Sequence, residues 1–450
     1  MFRAGLSRVC ISPAIGTPLA GFAARQEVSQ GIHDDLYVRA LVLENARSAV
    51  AMVSVDVLAL SSDFIARVRG EIQKTIGLVP ESVMIASTHT HAGPVTITTF
   101  FNPDESVDPD YMDALAQSIK ESVTTAWHKR FPARVGVGVA HVEGVGVNRR
   151  SPDQRPIDEE IGIIKVEDAV GKTRAVFINY ACHPTVLGPD NLLVSGDFPA
   201  FAVKEIEDAI GPDGFAMFVN GTQGNISMGH SSELSAIGII TPGRTFERAA
   251  ELGQLLADAT RRALPSIEVF DQPELGSAAI SIELPLKHYP STAETSKQLR
   301  DAEAHLAEII SADGDAIDQL RRAKSEHLYA SITNFYAKET AVLANGLLPL
   351  ELQGIRIDDA VFVAVPAEVF VEIGLHLKKI APRRTFIVGI ANGYIGYLPT
   401  TAAHAAGGYE VVSSKCQPEA EHILIDRALN LEKKLFSDAD GSSDSVGRTE

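Results

Sequence analysis

The chain predicts an α/β fold: a large mixed, mostly parallel β-sheet covered by helices, with an inserted helical hairpin. Three observations lead there. Apolar runs of strand length alternate with stretches whose apolar residues recur at helical spacing, the rhythm of a sheet layered with helices. Five of those runs end in clusters of polar or metal-binding side chains, as happens where strands empty into a ligand crevice. Finally, 45% of the 450 residues are hydrophobic, enough for a substantial core.

Taken in order, Ala49–Val57 reads as a strand. Behind Ser61 and Ser62, which suit an N-cap, Phe64, Ile65, Val68, Ile72 and Ile76 recur as on a covering helix. Val83–Ala86 runs into Ser87-Thr88-His89-Thr90-His91. Tyr111, Leu115, Ile119, Val123 and Trp127 repeat the helical pattern, and Val135–Val139 alternates as a strand does. Ala175–Tyr180 then leads into Ala181-Cys182-His183-Pro184-Thr185, and Phe215–Val219 into Asn220-Gly221-Thr222-Gln223-Gly224-Asn225-Ile226-Ser227. From Ser291 to Glu339 the rhythm stops. Ser291-x-x-Glu294 resembles a capping box, Leu299, Ala302, Leu306 and Ile309 form a stripe, and Asp313-Gly314 divides two helices. This hairpin reads first as a packing element and second as a substrate lid. Val361–Val365 leads into Pro366-Ala367-Glu368, and Phe386–Ile390 into Ala391-Asn392-Gly393-Tyr394-Ile395-Gly396-Tyr397. The expected organisation is one domain over 1–436, with 291–339 inserted, and a disordered tail over 437–450, a stretch mostly of Ser, Asp and Gly.

Composition removes several classes of function. A formal net charge of −18 repels phosphate backbones and anionic lipid, so neither nucleic acid nor a stable membrane association is expected. The three cysteines, Cys10, Cys182 and Cys416, show no CxxC spacing and suit a reducing compartment. The first residues carry no long apolar segment of the secretory kind, so a cytoplasmic protein is expected. No G-x-G-x-x-G stands at a strand–helix junction, which disfavours a nucleotide cofactor.

His89 and His91 stand two apart at the end of a strand, where side chains i and i+2 point to one face. With His183 and Glu368 at two other strand ends, they supply the nitrogen and oxygen ligands that zinc accepts. Such a zinc lowers the pKa of a coordinated water to ~7, which makes hydrolysis the natural reaction. Each residue also has a plain structural alternative: Glu368 paired with a buried arginine, His183 bonded to a backbone carbonyl, the tyrosines as core packing. The glycine-containing loop after Phe215–Val219 matches neither a P-loop nor a nucleophile elbow.

These motifs resemble the catalytic domain of the neutral/alkaline, non-lysosomal ceramidases. Thr88-His89-Thr90-His91-Ala92-Gly93-Pro94 looks like that family's Thr-His-Thr-His-Ser-Gly-Pro. Cys182-His183-Pro184-Thr185 with Ser195-Gly196-Asp197 resembles its second histidine segment, and Pro366-Ala367-Glu368 its Pro-Gly-Glu. Gly396-Tyr397-Leu398-Pro399-Thr400 resembles Gly-Tyr-Val-Thr-Thr, with Tyr409 at the spacing of a second active-site tyrosine. The resemblance implies one zinc per chain held by His89, His183, Glu368 and Tyr397. It also implies a substrate pocket lined by His91, Tyr409 and an arginine of Asn148-Arg149-Arg150, with Arg149 the better match. Ser227 falls on the serine of the family's Gly-Asp-Val-Ser-Pro and is carried as a catalytic candidate, although Gly224-Asn225-Ile226-Ser227-Met228 departs at three positions.

The expected activity is a zinc-dependent amidohydrolase acting on a linear amide, in which zinc-activated water attacks the carbonyl and Arg149 or Tyr409 stabilises the oxyanion. His91 is the candidate proton carrier, its alternative role being to orient a neighbouring ligand. The family's immunoglobulin-like C-terminal domain and secretory signal have no counterpart in this sequence, so the expected substrate is a soluble small-molecule N-acyl amide rather than membrane ceramide. The alternatives are ceramide itself, an ester or lactone substrate, or a non-catalytic ligand-binding protein.

Overall fold

The computed structural model describes residues 1–101, 107–312, 317–343 and 345–440, with side chains described as far as 437. All five flagged runs are strands: Val83–Ser87, Thr173–Tyr180, Phe215–Asn220, Ala360–Val365 and Arg384–Gly389. They do not share one sheet. An eight-stranded sheet runs in the order Phe215–Asn220, Thr173–Tyr180, Glu160–Asp168, Phe131–His141, Arg3–Cys10, Tyr37–Glu44, Ala49–Val55, Val83–Ser87. A four-stranded sheet runs Leu275–Pro285, Leu347–Ile357, Ala360–Val365, Arg384–Gly389.

The α/β class with a large mixed sheet holds, but the expectation of mostly parallel strands is corrected. Within the larger sheet the two outermost pairings are parallel, and the pairings between them are antiparallel. The reason lies in the connections. Segments 45–48 and 169–172 are too short to return a chain to the same end of the sheet, so they join antiparallel neighbours. Helical crossovers occur only at the edges, through Ser62–Ile76 and Asp197–Ile210. A third crossover, Val371–Ile380, makes the one parallel pairing of the smaller sheet.

The two sheets pack face to face, which the sequence pattern did not distinguish from a sheet against helices. Their shared layer includes Phe2, Leu41, Phe177, Met217, Phe362 and Phe386, all buried. Phe362 meets Phe177 edge-on at 5.4 Å and stacks on Phe386 at 5.0 Å, so one ring touches both sheets. Helices cover the outer faces. Ser62–Ile76 and Pro109–His128 lie over one half of the larger sheet, and Asp197–Ile210 with Phe246–Ala263 over the other. Val371–Ile380 and Ala420–Asp440 cover the smaller sheet.

Local signals behave as their chemistry requires. Ser61 caps its helix by accepting from the Phe64 N–H, and Ser291 with Glu294 forms a full capping box. The insertion is a helical hairpin, Thr292–Ser311 and Ile317–Thr340, placed in the connection between two antiparallel strands of the smaller sheet. Asp313-Gly314, expected to divide the two helices, lies outside the described residues. The last helix runs on to Asp440, past the expected start of a tail at 437, and 441–450 lie outside the described residues.

Because Phe362 is fully buried between aromatic partners, Phe362→Ala is expected to destabilise the protein by about 3–5 kcal/mol. The check is the shift of the urea unfolding midpoint. A loss below about 1 kcal/mol would contradict a tightly packed layer between the sheets.

Candidate active site

The site stands where the three parallel strand pairs of the two main sheets end together. Past Ala49–Val55 comes Leu58, past Val83–Ser87 come His89 and His91, and past Thr173–Tyr180 comes His183. Past Phe215–Asn220 comes the Gln223–Ser227 loop, past Ala360–Val365 comes Glu368, and past Arg384–Gly389 come Tyr394 and Tyr397. Hydrogen bonds tie the two sheets together at these ends. The Asn179 amide donates to the Asn220 and Ile387 carbonyls at 2.9 and 3.1 Å. Ser87 N–H donates to the Ile390 carbonyl at 3.1 Å, and Asn392 N–H to the Ile85 carbonyl at 2.8 Å.

Several of these loop residues hold left-handed backbone, with φ of 66° at His89, 52° at Ile390 and 64° at Asn392. Such a conformation costs a β-branched residue such as Ile390 about 1–2 kcal/mol, which the bonds just described offset. His89 therefore lies beyond the strand, not within it. Its ring meets that of His91 edge-on at 4.9 Å, so both histidines enter one pocket, by a left-handed turn and not by strand alternation.

His89, His183 and Glu368 bring one ligand atom each within 4.8 Å of one another, all three residues buried. The hydrogen bonds behind the rings fix their tautomers. His89 Nδ1 lies 2.8 Å from the Leu58 carbonyl, and His183 Nδ1 lies 2.7 and 3.0 Å from the Gln223 and Ile226 carbonyls. A carbonyl only accepts, so each Nδ1 carries the hydrogen and each Nε2 turns a lone pair inward. His183 Nε2 then faces Glu368 Oε2 at 2.7 Å, and His89 Nε2 faces the same oxygen at 3.5 Å. Lone pairs of a neutral imidazole and a carboxylate repel at that range unless a cation lies between them. Burial, with Arg149 nearby, lowers the His183 pKa to about 4, which disfavours a proton in that role near neutral pH. Two imidazole nitrogens and an anionic carboxylate thus fit a divalent metal, and the carbonyl bond once weighed as the structural alternative for His183 is what prepares it as a ligand.

Glu368 and Tyr397 are neighbours across a short parallel bridge between Glu368–Val369 and Tyr397–Leu398. The Tyr397 ring lies near-parallel to His183 at 6.3 Å, and its hydroxyl accepts from Arg149 Nη2 at 3.1 Å. Tyr394, whose role the sequence left open, donates its hydroxyl to Glu368 Oε1 at 2.5 Å. Gly224 allows close approach from below: a Cβ there would stand 2.4 Å from the Glu368 carbonyl oxygen.

The remaining sequence candidates divide. Arg149 and Tyr409 are at the site, Tyr409 packing edge-on against Tyr397 at 6.1 Å. Arg150 turns away, donating to Glu410 Oε2 at 2.6 Å and to the Gly407 carbonyl at 2.5 Å, so Arg149 is the arginine that faces the pocket. Both ring nitrogens of His91 are buried without a hydrogen-bond partner among the described residues. Burial, then His89 and His183, hold its pKa well below the ordinary value, so it stands as a neutral imidazole with one donor and one acceptor to offer. Ser227 is fully buried, and its hydroxyl donates to the His230 carbonyl at 3.0 Å. It pins the Gln223–Ser227 loop whose Ile226 carbonyl holds His183.

A cavity of about 450 Å³ opens from His89, His91 and Glu368. Its wall mixes apolar and polar groups, with Phe64, Phe100, Phe101 and Met112 lining it together with Phe335 and Tyr336 of the helical hairpin. The insertion is therefore a wall of the site as well as a packing element. An adjoining recess of about 40 Å³ shares His91, Phe101, Tyr397 and Tyr409 with the cavity and is lined besides by Arg149, His183, His230 and Ser232 among others.

Purified protein is expected to hold about one divalent transition-metal ion per chain, measured by elemental analysis. The double change His89→Ala and His183→Ala should abolish it, while Tyr394→Phe, which frees one Glu368 oxygen, should weaken metal affinity by about 10–100-fold. Full metal content in the double variant would rule the site out.

Comparisons with known proteins identify the family and the fold. The family model for neutral/alkaline non-lysosomal ceramidase, N-terminal, matches residues 2–232. The neutral ceramidase of Pseudomonas aeruginosa is 24% identical over 497 residues, spanning 96% of this chain and 72% of that protein. That of Drosophila melanogaster is 22% identical over 524 residues, spanning 97% and 74%. Among solved structures, one described as ceramidase complexed with C2 superposes with a TM-score of 0.74 at 19% identity, covering 100% of this chain and 77% of the other. The Pseudomonas aeruginosa neutral ceramidase superposes with a TM-score of 0.72 at 21% identity, covering 96% and 75%. This chain belongs to the neutral/alkaline non-lysosomal ceramidase family.

Proposed function

We propose that this chain is a zinc-dependent amidohydrolase that cleaves the amide bond of N-acyl amides of the ceramide type. The observation that carries the reading is the inward-facing set of His89 Nε2, His183 Nε2 and Glu368 at the end of a cavity with several aromatic rings in its wall. The names of the relatives and of the solved structures support the amide substrate.

A zinc ion held by His89, His183, Glu368 and Tyr397 would supply a Lewis acid and make hydroxide available near neutral pH. The chain's own residues do the rest. The wall of Phe64, Phe100, Phe101 and Phe335 takes the acyl arm and excludes water from the reacting carbonyl. The Arg149 guanidinium and the Tyr409 hydroxyl line the adjoining recess, where they can donate to the oxygen that gains charge as the amide becomes tetrahedral, Arg149 through Nη1 because Nη2 is bonded to Gly224 and Tyr397. Neutral His91 offers its acceptor nitrogen to a proton and returns it to the departing amine. Ser227, its hydroxyl engaged by a carbonyl, keeps the His183 loop in place and forms no acyl intermediate.

A second reading concerns substrate size. The net charge of −18 weakens attraction to an anionic bilayer, which favours a soluble, short-chain N-acyl amide over long-chain ceramide. Three free cysteines suit the reducing environment of the cytoplasm, which we propose as the location.

The test compares kcat/KM for a series of N-acyl amides, from soluble short-chain amides to long-chain ceramide kept below aggregation, with products identified by mass. Zinc-loaded protein should release free fatty acid and amine, and activity should disappear with a chelator and return with zinc. A higher kcat/KM for long-chain ceramide than for every soluble amide would reject the second reading. No turnover of any member by zinc-loaded protein, or an acyl adduct trapped on Ser227, would reject the first.

A further inference from the structure

Glu410 lies beside Tyr409 on the short helix Tyr409–Val412 and is almost wholly buried. Its carboxylate is fully engaged. Oε1 accepts from Arg149 Nε at 2.8 Å and from the Ser232 hydroxyl at 2.6 Å, while Oε2 accepts from Arg150 Nη1 at 2.6 Å. One carboxylate therefore holds two guanidinium groups that are adjacent in sequence and diverge in direction. With its Nε bonded to Glu410, Arg149 turns Nη2 to the Gly224 carbonyl at 2.9 Å and the Tyr397 hydroxyl at 3.1 Å. Arg150 turns the other way and bonds the Gly407 carbonyl. Gly408 follows at φ 96°, where an added Cβ would stand 2.9 Å from Arg150 Nη1, so the turn that delivers Tyr409 is pressed against that guanidinium.

We propose that Glu410 is a positioning residue for the amide-cleaving site: it aims Arg149 at the reacting oxygen. The inference rests on the reading of Arg149 as an oxyanion donor given above. Two arginines against one carboxylate leave a surplus positive charge in a buried place, and the geometry directs that surplus towards Tyr397 and the metal group. With Nε bonded to Glu410 and Nη2 to Gly224 and Tyr397, Nη1 is the nitrogen of Arg149 left to meet substrate. Ser232, which also lines the small recess, completes the carboxylate's bonding.

Because the proposed action passes through Arg149, the test is a double-mutant cycle on full-length zinc-loaded protein, with N-hexanoylsphingosine below aggregation as the probe. Glu410→Gln keeps the shape and removes the charge that orients both arginines. It should lower kcat/KM by about 10–100-fold, mostly in kcat, with zinc content unchanged. In an Arg149→Ala background the same change should cost less than about twofold. Should Glu410→Gln fail to fold, Ser232→Ala serves instead. It leaves all three charges in place and should lower kcat/KM by about three- to tenfold, again with no further loss in Arg149→Ala. Wild-type kcat/KM in Glu410→Gln, with Arg149→Ala impaired, would overturn the positioning role and leave the oxyanion reading standing. Losses that multiply in the double variant would show that Glu410 acts by another route, which also overturns it. An Arg149→Ala enzyme as active as wild type would remove both.

Discussion

The rest of the structure depends on one electrostatic conflict, a buried carboxylate facing two imidazole lone pairs. Backbone carbonyls behind His89 and His183 take the Nδ1 hydrogens, so each Nε2 is left as an acceptor pointing at the Glu368 oxygen. Three acceptors in a buried space are stable only around a positive charge. Neither histidine can be turned to relieve the conflict, because its ring is held from behind. The site is therefore built for a cation before any substrate arrives, and the hydrolysis proposed above follows from what such a cation would do to a carbonyl and to water.

The two-sheet architecture explains how residues so distant in sequence meet in that conflict. Antiparallel hairpins make the middle of the larger sheet, where no side chain is needed for chemistry. The three parallel crossovers place consecutive strand ends on one side, and Asn179, Asn392 and Ser87 bond one sheet to the other there. The strain at His89, Ile390 and Asn392 is confined to this seam. Packing between the sheets, centred on Phe177, Phe362 and Phe386, is what allows strained loops to persist a short distance away.

Much of this was legible in the sequence, and the parts that were not share a cause. The five strand ends could be read because each apolar run stops abruptly at polar residues, and the grouping of His89, His183 and Glu368 because each stands just past such an end. Pairing direction was not legible, since an apolar run looks alike whether its neighbour is parallel or antiparallel. Nor does apolarity distinguish a face covered by helices from one covered by a second sheet, which is why Phe362 and Phe386 read only as core. His89 and His91 converge as expected, yet through a left-handed turn that no alternation rule describes. Tyr394 was visible in the loop before Tyr397, but only coordinates show that its hydroxyl reaches Glu368. Glu410 was invisible because its partners Arg149 and Ser232 lie 261 and 178 residues away.

The measurement that bears most directly on this account is X-ray absorption at the zinc edge on the zinc-loaded protein. The account predicts a four-coordinate ion with nitrogen and oxygen neighbours at about 2.0–2.2 Å, with scattering from two imidazole rings. That imidazole signal should fall by half in His183→Ala. A sulfur neighbour, a shell without imidazole, or a spectrum of hydrated zinc alone would contradict it.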